Sequence, residues 1–302
     1  MKREKKRRSV RTWIQLAAAC LTNGYAAGFL GAKIYKGNLK QFCVPGLNCY
    51  SCPGALGSCP IGALQAVLGD RKYRFSYYVF GVLIVFGCLL GRLVCGFLCP
   101  FGLVQDLLHK IPVRKRAVPE RLDRCLRLLK YAVLVILVVI LPLTATDALG
   151  TGSPYFCKWL CPAGTLEGGV PLLMGNEGLR QSIGGLFGWK LFVLLAVVLG
   201  SLWVYRPFCK YLCPLGAFYS LFNRVGLYRM AVKEEKCTHC GQCEKACGMG
   251  VKVTKNINAL ECIRCGECAR ACPHGAIEKG FCGSFRRPEA PQEAETADTK
   301  LN

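Results

Sequence analysis

Hydrophobic positions fall into four long runs, at residues 13–30, 76–98, 129–145 and 187–205, with polar and cysteine-rich stretches between them. Each run approaches the ~20 apolar residues that a helix needs to cross a bilayer. The last three carry one basic residue each, Arg92, Lys130 and Lys190, which favours lipid over a soluble core as their surroundings. The first is softened by Gln15, Thr22 and Asn23 and follows seven Lys/Arg in residues 1–11. It reads as a retained first helix, since no small-x-small cleavage site ends it. From Pro288 onward the chain is polar and rich in Ala, Glu and Thr, the composition of a disordered tail. The expected fold is mainly α. A basic N-terminus (1–11) leads into a polytopic helical membrane domain (12–230) of about four transmembrane helices. A small module (231–283) and the tail (284–302) follow.

Composition agrees, with 52% hydrophobic residues and a mean hydropathy of +0.30. A formal charge of +22 invites a nucleic-acid reading. The basic residues flank the apolar runs, however, where they set membrane topology instead. Residues 110–130 carry eight of them, and 147–186 only Lys158 and Arg180. The N-terminus, the 99–130 loop and the C-terminal module are therefore expected on the cytoplasmic side of a membrane, with 147–186 outside. The 33–74 loop would also lie outside, against its six basic residues. Charge and hydropathy therefore point to membrane lipid as a partner, with no nucleic acid.

The membrane part repeats itself. Cys59-Pro60-Ile61-Gly62 matches Cys161-Pro162-Ala163-Gly164, and Cys95-Gly-Phe-Leu-Cys99-Pro100 matches Cys209-Lys-Tyr-Leu-Cys213-Pro214. An apolar run separates the two members in each half, so the domain is an internal duplication.

Twenty-two cysteines is an extreme count. Residues 237–247 read Cys-Thr-His-Cys-Gly-Gln-Cys-Glu-Lys-Ala-Cys, and 262–273 read Cys-Ile-Arg-Cys-Gly-Glu-Cys-Ala-Arg-Ala-Cys-Pro. Both fit the C-x2-C-x2-C-x3-C run of two-cluster bacterial ferredoxins, in which the fourth cysteine serves the other cluster. Three thiolates in a compact loop wrap one face of a cubane, and the fourth opens the next segment and points away. Cys237, Cys240, Cys243 and Cys272 are assigned to one 4Fe-4S cluster, and Cys262, Cys265, Cys268 and Cys247 to the other, in a small α+β ferredoxin domain. A pair of zinc knuckles would need only four ligands in two pairs and leaves the doubled run unexplained. Gly248 stands where the first run would have proline, a change expected to alter the turn and not the ligation.

Cys95 with Cys99 and Cys209 with Cys213 sit at helix ends with i, i+4 spacing, which puts Cβ atoms about 5–6 Å apart. That is too wide for a disulfide, whose Cβ atoms lie near ~3.8 Å, and it suits two corners of a cubane. One helix and its duplicate would together hold a third cluster. On the outer side Cys157 and Cys161 keep the spacing, but the first copy offers Cys43, Cys49, Cys52 and Cys59, with Ala55 at the matching position. Either Cys52 and Cys59 join Cys157 and Cys161, or the 43–59 set closes a site alone; disulfides or a redox-active dithiol are the competing readings. Arg92, one turn from Cys95, either snorkels or offsets the charge of a cluster. No phosphate loop, zinc-protease motif or nucleophile elbow occurs, so the chain reads as an electron-transfer component and not a stand-alone enzyme.

These motifs, from about Asn23 to Pro273, resemble the membrane-bound 4Fe-4S polyferredoxins of the NapH/NosR type, accessory proteins of periplasmic reductases. The resemblance implies electron transfer in a bacterial inner membrane, with redox proteins as partners, between a cytoplasmic or quinone donor and an outward-facing acceptor. Roles in maturing a partner reductase, or in membrane thiol–disulfide exchange, are the alternatives. The flavin-binding domain of NosR-like members is not seen in this sequence. With the apolar layer roughly 30 Å thick, clusters on opposite faces would be far apart for one electron step.

Overall fold

The computed structural model describes residues 2–70, 77–116, 118–145 and 152–282, with side chains from residue 10 onward. The expected tail from residue 284 lies outside these. Two helices are long and apolar enough to cross a membrane, Glu120–Thr144 with 25 residues and Gly185–Trp203 with 19. The other two runs break. Tyr77–Leu90 ends at Gly91, whose φ of +54° is left-handed, and a separate short helix, Leu93–Phe97, follows. Lys2–Thr22 stops before Asn23-Gly24, and Ala26–Gly31 is a separate turn. About four spans were expected, and by length the described residues hold two, with Tyr77–Leu90 as a shorter apolar helix.

Proline shapes the helices from within. The stretches Leu134–Ile140 and Gly164–Gly169 are π-helical, and each is followed within a few residues by a proline, Pro142 and Pro171. A proline in a helix removes one N–H and crowds the preceding turn. The wider π turn accommodates both effects.

Helix Pro100–His109 is sandwiched between Lys2–Thr22 and Gly185–Trp203, while Glu120–Val133 packs on Pro207–Tyr211 and Pro214–Leu221. Pro60–Leu68 lies against Tyr77–Leu90 and the first π stretch. Four Cys-Pro helix starts are thereby turned into the interior.

The C-terminal module is closed by its own ends. Strand β1 (Tyr228–Val232) pairs antiparallel with β2 (Ile277–Phe281), from Tyr228 opposite Phe281 to Val232 opposite Ile277. The pairing begins at Tyr228, slightly before the expected boundary at 231. Between the strands the backbone repeats: His239 and Arg264 take positive φ, as do Gly241 and Gly266, then Gly250 and Gly275. The last pair bears on the missing proline after Cys247: the first copy makes with Gly248 the same turn that the second makes with Pro273. Gly248 has a different use: a Cβ there would stand 2.7 Å from the Tyr205 ring, so only glycine lets the module close on the membrane domain.

An acidic anchor completes the docking. The Glu261 carboxylate accepts from Arg92 Nη1 at 2.9 Å and Lys130 Nζ at 2.6 Å, and all three side chains are buried. Burial alone would raise the Glu261 carboxyl, but the two cations outweigh it and hold it below its ordinary value. Asn223 adds donations to the carbonyls of Ala259 and Cys262.

Candidate metal centres

In the module the two predicted cysteine sets are gathered as the doubled run requires. Cys237, Cys240, Cys243 and Cys272 line one cavity, and Cys247, Cys262, Cys265 and Cys268 line another of about 350 Å³. The positive-φ residues His239, Gly241, Arg264 and Gly266 sit inside the cysteine runs, where left-handed backbone turns successive N–H groups into an anion-accepting concavity. Thiolates facing a hollow lined by amides fit a sulfide-containing cluster in both places. Cys240 is exposed, whereas Cys268 is buried, so the first site is the one open to solvent.

Outside the module, Cys95, Cys99, Cys209 and Cys213 are all buried and lie within electrostatic reach of one another. The geometry departs from a single helix carrying two ligands. Cys95 belongs to Leu93–Phe97, and Cys99 is the N-cap of the next helix, which Pro100 opens at N1. The duplicate is built alike, with Cys209 in Pro207–Tyr211 and Cys213 capping Pro214–Leu221. Proline is preorganised for the first helical position, so each Cys-Pro starts a helix as well as ending one.

The second cysteine of each motif thus stands at a helix N-terminus, where free N–H groups and the dipole favour negative charge. Gly216 N–H donates to Cys213 Sγ at 3.3 Å, and Gly164 N–H to Cys161 Sγ at 3.3 Å. The amides of Gly62 and Gly102 face Cys59 and Cys99 in the same register. Nor is Arg92 a snorkelling residue. It is fully buried, donating to the Cys209 carbonyl at 3.0 Å as well as to Glu261.

The remaining cysteines resolve into a second membrane site that neither sequence arrangement named. Cys157 and Cys161 lie within electrostatic reach of Cys49 and Cys59. A Cβ on Gly164 would stand 3.7 Å from both Cys161 Sγ and Cys49 Sγ, and one on Gly62 would stand 3.9 Å from Cys157 Sγ. Cys52 lies within electrostatic reach of Cys49, with its thiol on Asn23 Oδ1 at 3.6 Å, and the Cys43 backbone makes an isolated β-bridge with Ser58. None of the 22 cysteines is paired in a disulfide in this structure. Among the described residues, no three Cys, His, Asp or Glu side chains close tightly enough for a single ion.

Topologically the larger difference concerns the 43–59 loop. It was expected on the face opposite Cys99, yet Gly46 packs against the Cys99 backbone, where a Cβ would stand 3.0 Å from Cys99 Cα. Adjacent residues of this loop then serve different sites: the Leu47 amide faces Cys99 and the Asn48 amide faces Cys59. Cα atoms of neighbouring residues are ~3.8 Å apart, so the two membrane sites are neighbours and not a bilayer's thickness apart. Tyr219, fully buried and donating to Pro45 O at 3.0 Å, lies within reach of cysteines from both.

Sequence reasoning also missed the buried Asp106. Its carboxylate accepts from Arg206 and Arg11 and from Gln15. Burial would raise this carboxyl, but the Arg206 charge and hydrogen bonds and the Arg11 charge bring it down to about 2. The signal available was the matched arginine three residues before Cys95 and Cys209, which needed two acidic partners.

A 4Fe-4S binding domain family matches this chain three times, at residues 75–119, 129–174 and 185–233, and a second 4Fe-4S binding domain family matches 255–278. An uncharacterized protein of Methanocaldococcus jannaschii is 30% identical over 188 residues, covering 60% of this chain and 68% of its own length. The methylamine utilization ferredoxin-type protein MauN of Paracoccus denitrificans is 28% identical over 246 residues, 79% of this chain and 74% of MauN. The ferredoxin-type protein NapH of Escherichia coli is 27% identical over 158 residues, 52% of this chain and 47% of NapH. A second Methanocaldococcus jannaschii protein is matched over 66% of its length, so the chain spans about two thirds of these archaeal relatives. No solved structure matches.

Proposed function

The chain belongs to the 4Fe-4S polyferredoxin family of MauN and NapH, whose work is iron–sulfur electron transfer, and we propose that it relays electrons through a membrane along four cysteine-lined sites in series. An iron–sulfur cluster at each site would supply one-electron storage. The order follows from which residues touch. Cys247 and Cys272 each cross between the two module sites. Ile263, inside the second site's cysteine run, presses its carbonyl on Gly96, next to Cys95; a Cβ on Gly96 would stand 2.6 Å from that oxygen. Leu47 and Asn48 join the Cys99 site to the Cys59 site.

That unbroken succession of contacts is the observation that carries the reading. The module, with exposed Cys240, is where a cytoplasmic partner meets the chain, and the Cys49, Cys59, Cys157 and Cys161 site is the far end, facing an outward acceptor or a quinone. Helices Glu120–Thr144 and Gly185–Trp203 would hold the two sites outside the module in the bilayer. Burial of Cys59 and Cys161 disfavours thiol exchange as the main activity, since an attacking thiol needs access.

The test is transmembrane flux. The protein is reconstituted in vesicles holding a trapped impermeant oxidant, and an impermeant reductant is added outside. The trapped oxidant should be consumed, and Cys95→Ala should stop it. Flux that Cys95→Ala leaves unchanged would refute the relay.

A further inference from the structure

The four Cys-Pro cysteines share a position that the pairwise repeat hides. Six residues after Cys59, Cys99, Cys161 and Cys213 stand Gln65, Gln105, Glu167 and Tyr219. Helical side chains lean back toward the N-terminus, so this position looks onto the sulfurs gathered at the helix start. All four reach their site, but they do different things there.

In the first copy the residue is glutamine, and it donates to sulfur. Gln65 Nε2 lies 3.4 Å from Cys157 Sγ, and Gln105 Nε2 lies 3.0 Å from Cys209 Sγ. Both acceptors are the first cysteine of the other copy's motif. In the second copy Glu167 accepts from the Cys49 N–H at 2.9 Å, and Tyr219 donates to the Pro45 carbonyl. Each membrane site therefore receives one side-chain amide on one sulfur, always from the same half.

The two glutamines are not held equally. Gln65 Oε1 accepts from the Phe156 N–H at 2.9 Å, which fixes its amide. Gln105 is fully buried, and its Oε1 has no partner. An unpaired buried acceptor is destabilising, and a leucine or methionine would avoid it. Rotating the amide would set an oxygen against the Cys209 sulfur. The arrangement makes physical sense as a donor kept on a thiolate.

We propose that Gln65 and Gln105 are potential-setting residues: each holds an N–H on one thiolate and raises the reduction potential of its site, Gln105 for the Cys95/Cys99/Cys209/Cys213 site and Gln65 for the Cys49/Cys59/Cys157/Cys161 site. The reasoning is electrostatic and rests on the relay reading. A reduced cluster is the more negative form, and a hydrogen bond to its ligand sulfur stabilises that form preferentially. The shorter bond, at Gln105, carries the larger effect, so the pair grades the two membrane sites relative to each other.

EPR-monitored redox titration of the full-length protein in detergent tests this with Gln105→Met and Gln65→Met, which keep side-chain length and remove the donor. Gln105→Met should lower one midpoint potential, that of the signal missing in Cys209→Ala. Gln65→Met should lower, by less, the potential of the signal missing in Cys157→Ala. The module potentials should stay in place. Gln105→Met should also keep or raise thermal stability, because it removes the unpaired oxygen; a residue needed only for packing would lose it. Gln105→Leu, which removes both amide atoms, provides the second variant and should lower the same potential. Four clusters with unmoved membrane-site potentials would overturn this inference alone. A wild-type protein with only the two module clusters would overturn it together with the relay.

Discussion

Arg92 and Arg206 hold each other's half of the duplication: Arg92 donates to the backbone carbonyl of Cys209, and Arg206 donates to the backbone carbonyl of Cys95. Both guanidinium groups are fully buried, and each has its own carboxylate, Glu261 for Arg92 and Asp106 for Arg206. The exchange fixes the first cysteine of each motif from the opposite copy. It also ties the site to two different outworks, since Glu261 belongs to the module and Asp106 to helix Pro100–His109.

Asp106→Ala should therefore be severe. Removing one partner from a buried ion pair strands the other, at about 3–5 kcal/mol, and here Arg206 would be left without a counter-charge beside Cys95 and Cys209. Thermal unfolding in detergent should shift down strongly. A shift no larger than that of a surface alanine substitution would contradict the buried pairing.

Glu261→Gln should loosen the module without unfolding the membrane helices. Arg92 and Lys130 both lose their anion, while Asn223 and the Tyr205–Gly248 contact remain. Limited proteolysis around residues 222–233 should accelerate, with helical circular dichroism unchanged. Equal protease resistance in variant and wild type would count against the anchor.

Glycine spacing separates the two membrane sites. A Cβ on Gly102 would stand 3.0 Å from the Cys95 carbonyl and 3.2 Å from Arg206, and one on Gly216 would stand 3.3 Å from the Cys209 carbonyl. At Gly62 and Gly164 the nearest atoms lie at 3.9 and 3.7 Å. Gly102→Ala should cost iron at its site, and Gly62→Ala should retain it. Iron analysis of the two purified variants gives the answer, and equal retention would sink the distinction.

Cys49→Ala should remove one cluster's worth of iron, while Cys43→Ala and Cys52→Ala should leave the iron content intact. The sequence alone left two arrangements open, Cys52 and Cys59 joining Cys157 and Cys161, or the 43–59 set, Cys49 included, closing a site alone. Iron loss in Cys52→Ala with retention in Cys49→Ala would reverse the assignment.

That case marks where the sequence stops being legible. The module's eight cysteines and their crossed pairing could be read directly, because one compact run supplies three ligands and spacing dictates the fourth. The Cys95/Cys99/Cys209/Cys213 set was legible from the duplication. Cys49 was read only as part of the 43–59 set and not beside Cys157 and Cys161, because the first outer motif lacks the short helix of the others and the structure brings a loop cysteine there out of register. Depth was misread for a related reason. Apolar length suggests spans, but Gly91 breaks the second run and Asn23-Gly24 the first. The 43–59 loop accordingly lies beside Cys99 and not across the bilayer from it.

Four cysteine-bound clusters in one chain is the claim on which the rest depends. Spin quantitation of the anaerobically purified, fully reduced protein by EPR, set beside iron and acid-labile sulfide content, measures it directly. The account predicts four 4Fe-4S clusters per chain, two of them lost on deleting the module's cysteines. Two clusters, both lost with those same cysteines, would contradict it.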